Sequence, residues 1–243
     1  MFFAGVWYWV RRALVDKAWW VLAIGGSALA TGLAGIYAGV LTTPEPGLRL
    51  DVGWYKLVEE SFMAWSIELL SMAIGATVVA GRNLPAGAET IAAWLFPRRD
   101  RAVLESILGI GIPSVVVAVL CSIAAHLVMM SQSGIAPGGR MVVIKMLLLP
   151  ALSVLLAVAL GVGLVVLTRS TVFSLICIIV FFWVLPGMFA TAQISAAWLP
   201  ASGLLKLAML PVSPGNTEHL IGLLWTPALI IATILRVSYK DVA

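Results

Sequence analysis

The chain reads as an all-α, polytopic membrane protein with six transmembrane helices, an N-terminal interfacial helix and a re-entrant segment before the sixth helix. Three observations point there: mean hydropathy is +1.08, several apolar runs carry no charge, and a polar island divides two of them. Apolar residues make up 62% of the 243 positions and charged residues 11%, whereas soluble domains carry about a quarter charged. The length suits one helical bundle and leaves no room for a nucleotide-binding domain of ordinary size beside it.

Residues 1–17 read as a separate element. Phe3, Trp7, Val10 and Leu14 recur at helical spacing, with Arg11, Arg12, Asp16 and Lys17 flanking them. An aromatic face beside basic residues suits a helix lying flat in the headgroup layer. The aromatic start before the first charge is the reverse of a cleavable leader, so the run that follows is expected to be an uncleaved first span.

Crossing the hydrocarbon takes roughly 20 apolar residues. Segments 18–41, 61–80, 106–130, 146–168, 170–192 and 220–235 meet or approach that length, the last being the shortest. Interior Pro113, Pro150, Pro186 and Pro227 are tolerated in lipid as kinks or packing points. Between the fifth and sixth spans, residues 193–219 hold a short apolar patch broken by Pro200, Pro211, Pro214 and Gly215. Such a segment dips into the membrane or lies on it. Trp19, Trp20, Trp54, Trp198 and Trp225 read as interfacial anchors.

An even number of spans puts both termini on one side. That side carries ten Lys and Arg residues and the other carries Arg49, Lys56, Arg140, Lys145 and Lys206. The richer side is expected to be cytoplasmic in a cell membrane. The net charge of +4 therefore reports orientation and not nucleic-acid binding. Cys121 and Cys177 lie in apolar runs without partner spacing and read as buried, unpaired thiols.

Few residues carry chemistry. No GxxxxGK[ST] loop is present, since Ser27 and Arg140 follow the two glycine pairs, so ATP is not held here by that mechanism. Glu59-Glu60 is similar to the paired glutamates of intramembrane CAAX-type proteases. Ala64 and Ser122, however, stand where that family has Arg and Phe. Glu59, Glu60, His126, Glu218 and His219 all map near the outer face, where they read either as solvated residues at helix ends or as a metal-binding or catalytic cluster. Glu68 lies two turns inside an apolar run, and an ionisable group at that depth faces a pathway, a neighbouring helix or, by snorkelling, the outer interface.

The island at 81–105 reads GRNLPAGAETIAAWLFPRRDRAVLE and holds four of the 15 basic residues. An amphipathic patch (Ile91, Ala92, Trp94, Leu95) stops at Pro97, and Arg98-Arg99-Asp100-Arg101 leads into the next span. This order resembles the coupling segment of ABC-2 type exporter permeases, with Glu89-Thr90 where that family has Gly-Thr. The resemblance covers nearly the whole chain: an elbow helix, six spans, a tight Thr168-Arg169-Ser170-Thr171 link and a broken connection before the last span. It implies a dimeric export pathway, built with a second copy or a sister permease and driven by two cytoplasmic ATPases. Glu89, Thr90, Trp94, Pro97, Arg98, Arg99, Asp100 and Arg101 would meet the ATPase. Glu59, Glu60, Glu68, His126 and His219 would line a pathway or gate. No cofactor is expected in this chain, since ATP and Mg would sit on the partner, and no residue here would be catalytic. Apolar walls favour a drug, peptide or lipid as cargo.

Overall fold

In the computed structural model, residues 2–42, 62–83, 99–134, 140–193, 195–209 and 217–239 are described. All regular structure among them is helical. Helix α1 (Phe2–Val15) leads through Asp16 into α2 (Lys17–Thr42). Then come α3 (Phe62–Asn83), α4 (Arg99–Ser133) and α5 (Arg140–Thr168). Next, α6 (Thr171–Ile179) passes through a π-helical turn, Val180–Val184, into α7 (Leu185–Thr191). Last are α8 (Pro200–Met209), a 3₁₀ segment (Thr217–Leu224) and α9 (Trp225–Tyr239).

Among the described residues, five stretches are long and apolar enough to cross a membrane: 17–40, 64–83, 101–133, 147–168 and 171–189. The expected sixth span, 220–235, is not among them, because α9 is only 15 residues long. The helices α3 and α5 are central and their crossing is lined by small residues. Ala73, Ala76 and Ala80 of α3 face Ala157 and Gly161 of α5 in one buried cluster, as expected where lipid offers no hydrophobic drive and close backbone approach supplies the attraction. The rim is formed by α2 and the α6–α7 run, which bury least.

The turns follow from local chemistry. Arg169 closes α5 in the left-handed region at φ 56°, its N–H bonded to the Val165 carbonyl at 2.8 Å. Ser170 then N-caps α6 by accepting from the Phe173 N–H. The π turn ends where Leu185 N–H bonds back five residues to the Val180 carbonyl, directly before Pro186. A proline has no N–H for the regular ladder, and a widened turn accommodates that loss.

Two expectations change. Trp19 is buried against Gly75 and belongs to the core, not to an interfacial belt. In α1 the inward face is Val6, Trp9, Val10 and Ala13, while Phe3 and Trp7 point away at 85% and 67% exposure. The helix is apolar over more than half its circumference, so one arc covers the bundle and another is left for lipid. Trp54 lies outside the described residues.

The inward arc of α1 crosses α4 at Gly109. A Cβ there would meet the Trp9 side chain and lie 2.6 Å from the Val6 carbonyl oxygen. Only glycine permits this approach. Gly109→Val is therefore expected to lever α1 off α4, at an overpacking cost of about 1–3 kcal/mol. Thermal unfolding in detergent and trypsin cleavage at Arg11 and Arg12, both faster in the variant, check it.

Candidate functional site

Two groups of polar residues stand out, one at an end of the bundle and one inside it.

The first lies where the chain passes from α1 to α2. Asp16 breaks the helix there and caps the next one, its Oδ1 accepting from the N–H groups of Ala18 at 2.8 Å and Trp19 at 3.2 Å. The same carboxylate pairs with Arg82 in the last turn of α3, both oxygens 3.0 Å from Nη1. The Trp20 indole N–H donates to the Leu14 carbonyl at 2.7 Å, which satisfies one end of α1. Arg12 is held over the Tyr8 ring, 5.1 Å from its centre, with Nε donating to the phenol oxygen. At the same end the Arg236 guanidinium donates to the Leu167 carbonyl at the close of α5, a cation complementing a helix C-terminus. Asp16, Arg82, Arg169 and Arg236 thus gather at one end of the bundle, and α4 starts from that end too.

Of the expected coupling residues, Glu89, Thr90, Trp94, Pro97 and Arg98 lie outside the described residues. Arg99, Asp100 and Arg101 are the first turn of α4, so they belong to the helix rather than to the connection before it. Arg101 is exposed. The helix has 35 residues and rises about 52 Å at 1.5 Å per residue. Hydrocarbon is about 30 Å thick, so α4 is about four turns longer than a perpendicular crossing needs. Glu105, one turn after Arg101, is buried, and its Oε2 has no hydrogen-bond partner among the described residues.

The second group is a seam between α2, α3 and α4. Glu68 on α3 is 1% exposed, and its Oε1 has no hydrogen-bond partner among the described residues. Its neighbour is the Cys121 thiol of α4. That sulfur also lies 3.5 Å from the Ser27 carbonyl and 3.6 Å from the Thr31 hydroxyl, both on α2. The Ser27 hydroxyl oxygen is sealed in the same way as Glu68 Oε1. Glu68 therefore faces two neighbouring helices and does not snorkel outward.

His126 lies further along α4, its ring 6.1 Å from that of Trp65. Nδ1 is 2.5 Å from the Ser122 carbonyl. A carbonyl only accepts, so Nδ1 carries the hydrogen. Glu59 and Glu60 lie outside the described residues, and His219 falls in the 3₁₀ segment. Among the described residues no group of three or more His, Cys, Asp or Glu is placed to hold a metal. Both cysteines are free, Cys121 buried and Cys177 half-buried.

This is a polytopic helical membrane protein. No protein-family model matches the chain, and no curated protein matches it either.

Sequence reasoning passed over Asp16, treating it as one of several flanking charges. The signal was present, since an Asp directly before a long charge-free helix is an N-cap pattern. Replacing Asp16 by Ala removes cap and ion pair together and is expected to cost about 1 kcal/mol or somewhat more. Asp16→Asn keeps the cap and should cost less. Arg82 is 58% exposed, so Arg82→Ala should cost under about 1 kcal/mol. Unfolding midpoints of the three variants in one detergent rank these effects.

Proposed function

We propose that the chain is the membrane-spanning subunit of an ATP-binding cassette exporter of the ABC-2 permease type, embedded in the cell membrane with both termini in the cytoplasm. It would work with two cytoplasmic ATPases and with a second copy or sister permease. The observation that carries this reading is the continuity of α4, one helix that starts with Arg99-Asp100-Arg101 and runs on through the bundle to Ser133. Movement imposed on its charged head is delivered to the seam that holds Cys121, 20 residues and so about 30 Å away.

Other features support the same reading. An interfacial helix α1 lies across α4 at Gly109, and Asp16 ties it to α3 at the point where the connection 84–98 departs. The arginine-rich end of the bundle is the one expected to face the cytoplasm. A sixth span is supported by the 3₁₀ segment running without a break into α9. At about 2.0 and 1.5 Å per residue the two together rise roughly 38 Å, enough to cross. A re-entrant path before it is supported by α8, which packs on α3, α5, the π turn and the 3₁₀ segment, with Ala201, Gly203, Leu204 and Ala208 buried. Its Gly203 meets the backbone of Gly222.

In this mechanism ATP closes the partner ATPases, the connection 84–98 and the head of α4 move, and the bundle passes from inward- to outward-open. The protein does no covalent chemistry. An apolar interior suits a hydrophobic or amphipathic cargo.

Reversing charge at Arg99 and Arg101 together should abolish transport-coupled ATP hydrolysis while leaving membrane insertion unchanged. The assay is ATPase activity and export in proteoliposomes holding the permease with the ATPase that co-purifies with it. Unchanged coupling, or purification of the intact protein without any ATPase, sinks the reading.

A further inference from the structure

The seam between α2, α3 and α4 has an organisation that the exporter reading does not use. Glu68 is buried, with one carboxyl oxygen lacking a partner among the described residues. The helices crossing there are tightly packed. A Cβ on Gly26 of α2 would collide with the Ser71 side chain of α3, one turn from Glu68. A proton is an occupant that fits.

The groups facing Glu68 are few. Between Ala18 and Thr42, α2 has no Asp, Glu, Lys, Arg or His, and its ionisable residue is Tyr37. From α4 come Cys121 and, further along, His126. Between Met146 and Thr168, α5 has no ionisable side chain. No permanent charge on these stretches compensates the carboxylate; of the other helices packed on α3, α6 carries Cys177 and α8 carries Lys206. Beside the carboxylate is instead the Cys121 thiol, whose one hydrogen has the Ser27 carbonyl at 3.5 Å and the Thr31 hydroxyl at 3.6 Å in reach as well as the Glu68 carboxyl.

We propose that Glu68 is an intramembrane proton-binding site and that Cys121 relays its occupancy to the backbone of α2. With Glu68 ionised, the carboxylate is the strongest acceptor in reach, and the Cys121 S–H turns to it. The Ser27 carbonyl then loses that donor. When a proton from water adds to a carboxylate oxygen, the new O–H donates to Sγ, and the S–H swings to the Ser27 carbonyl at 3.5 Å. Release of the proton to water reverses both changes. No bond to carbon or sulfur is made or broken, and the charge of the site changes by one. Proton binding thus adds one α4-to-α2 hydrogen bond at the level where Gly26 seats on α3, and so draws the first span onto the seam. The inference stands apart from the exporter reading, because the site is complete within this chain.

The S–H stretching band of Cys121 tests it directly. In lipid-reconstituted protein carrying Cys177→Ala, infrared spectra should show that band and a carboxyl C=O band changing together and reversibly with pH. Both changes should vanish in Glu68→Gln. An S–H band indifferent to pH over the range in which helicity is constant overturns the proposal. So does a shift that survives Glu68→Gln but is lost in His126→Gln, which assigns the titration to the imidazole. Should Glu68→Gln fail to insert, Cys121→Ala decides: removing the thiol must move the carboxyl band, and an unmoved band overturns the relay. None of these measurements needs an ATPase, so failure here and failure of the exporter reading are distinguishable.

Discussion

Within hydrocarbon a polar atom has no water to turn to, and that constraint governs every part of this molecule. The backbone meets it by forming helices. Most hydroxyls inside the spans meet it locally, by donating to a carbonyl one turn back. Ser71 bonds Ile67 at 2.7 Å, Thr77 bonds Ala73 at 2.8 Å, Ser114 bonds Ile110 at 2.9 Å and Thr233 bonds Leu229 at 2.7 Å. Against that background the few sealed atoms without such a solution are conspicuous. Among the described residues they include the Trp9, Trp19 and Trp65 indoles, the Thr226 and Ser27 hydroxyls, and one oxygen each of Glu68 and Glu105; Glu68 and Ser27 lie beside the same thiol. An unmet polar atom in a low-dielectric interior is expensive, most of all where it belongs to an ionisable group such as Glu68.

The same constraint shapes helix contacts. With lipid as apolar as leucine, helices gain by approaching closely and little by burying oil from oil. Gly109 beneath Trp9, Gly26 against Ser71 and Gly161 against the Ala73 carbonyl are three points of close helix approach. They tie α1 to α4, α2 to α3 and α5 to α3 respectively. The outward residues of α2 and α6, among them Val21, Ile24, Leu29, Val172, Phe173 and Ile176, stay exposed and apolar, as a lipid-facing rim requires.

Helix α4 joins the two polar regions. Its first turn, Arg99-Asp100-Arg101, is charged. Its second buries Glu105 at the docked α1, and its middle carries Cys121 into the seam. A long helix is stiff, though Pro113 interrupts its hydrogen-bond ladder between the two regions and is a natural place for it to bend. The Asp16–Arg82 pair braces the neighbouring corner, so α1, α2, α3 and α4 meet the arginine-rich end as one connected frame.

Hydropathy and charge spacing alone determined the helical membrane class, the existence and rough limits of the long helices, and the depth of Glu68. These are properties of single segments, each meeting the bilayer on its own. The partners of Glu68 were not legible, because Ser27, Thr31 and Cys121 come from helices whose rotation about their own axes no run of hydropathy specifies. In a helix apolar all round, every face looks equally buried in sequence, as Trp19 and the two arcs of α1 show. Only packing chose which face turns inward, and it did so through close contacts at a few glycines, which linear patterns do not encode.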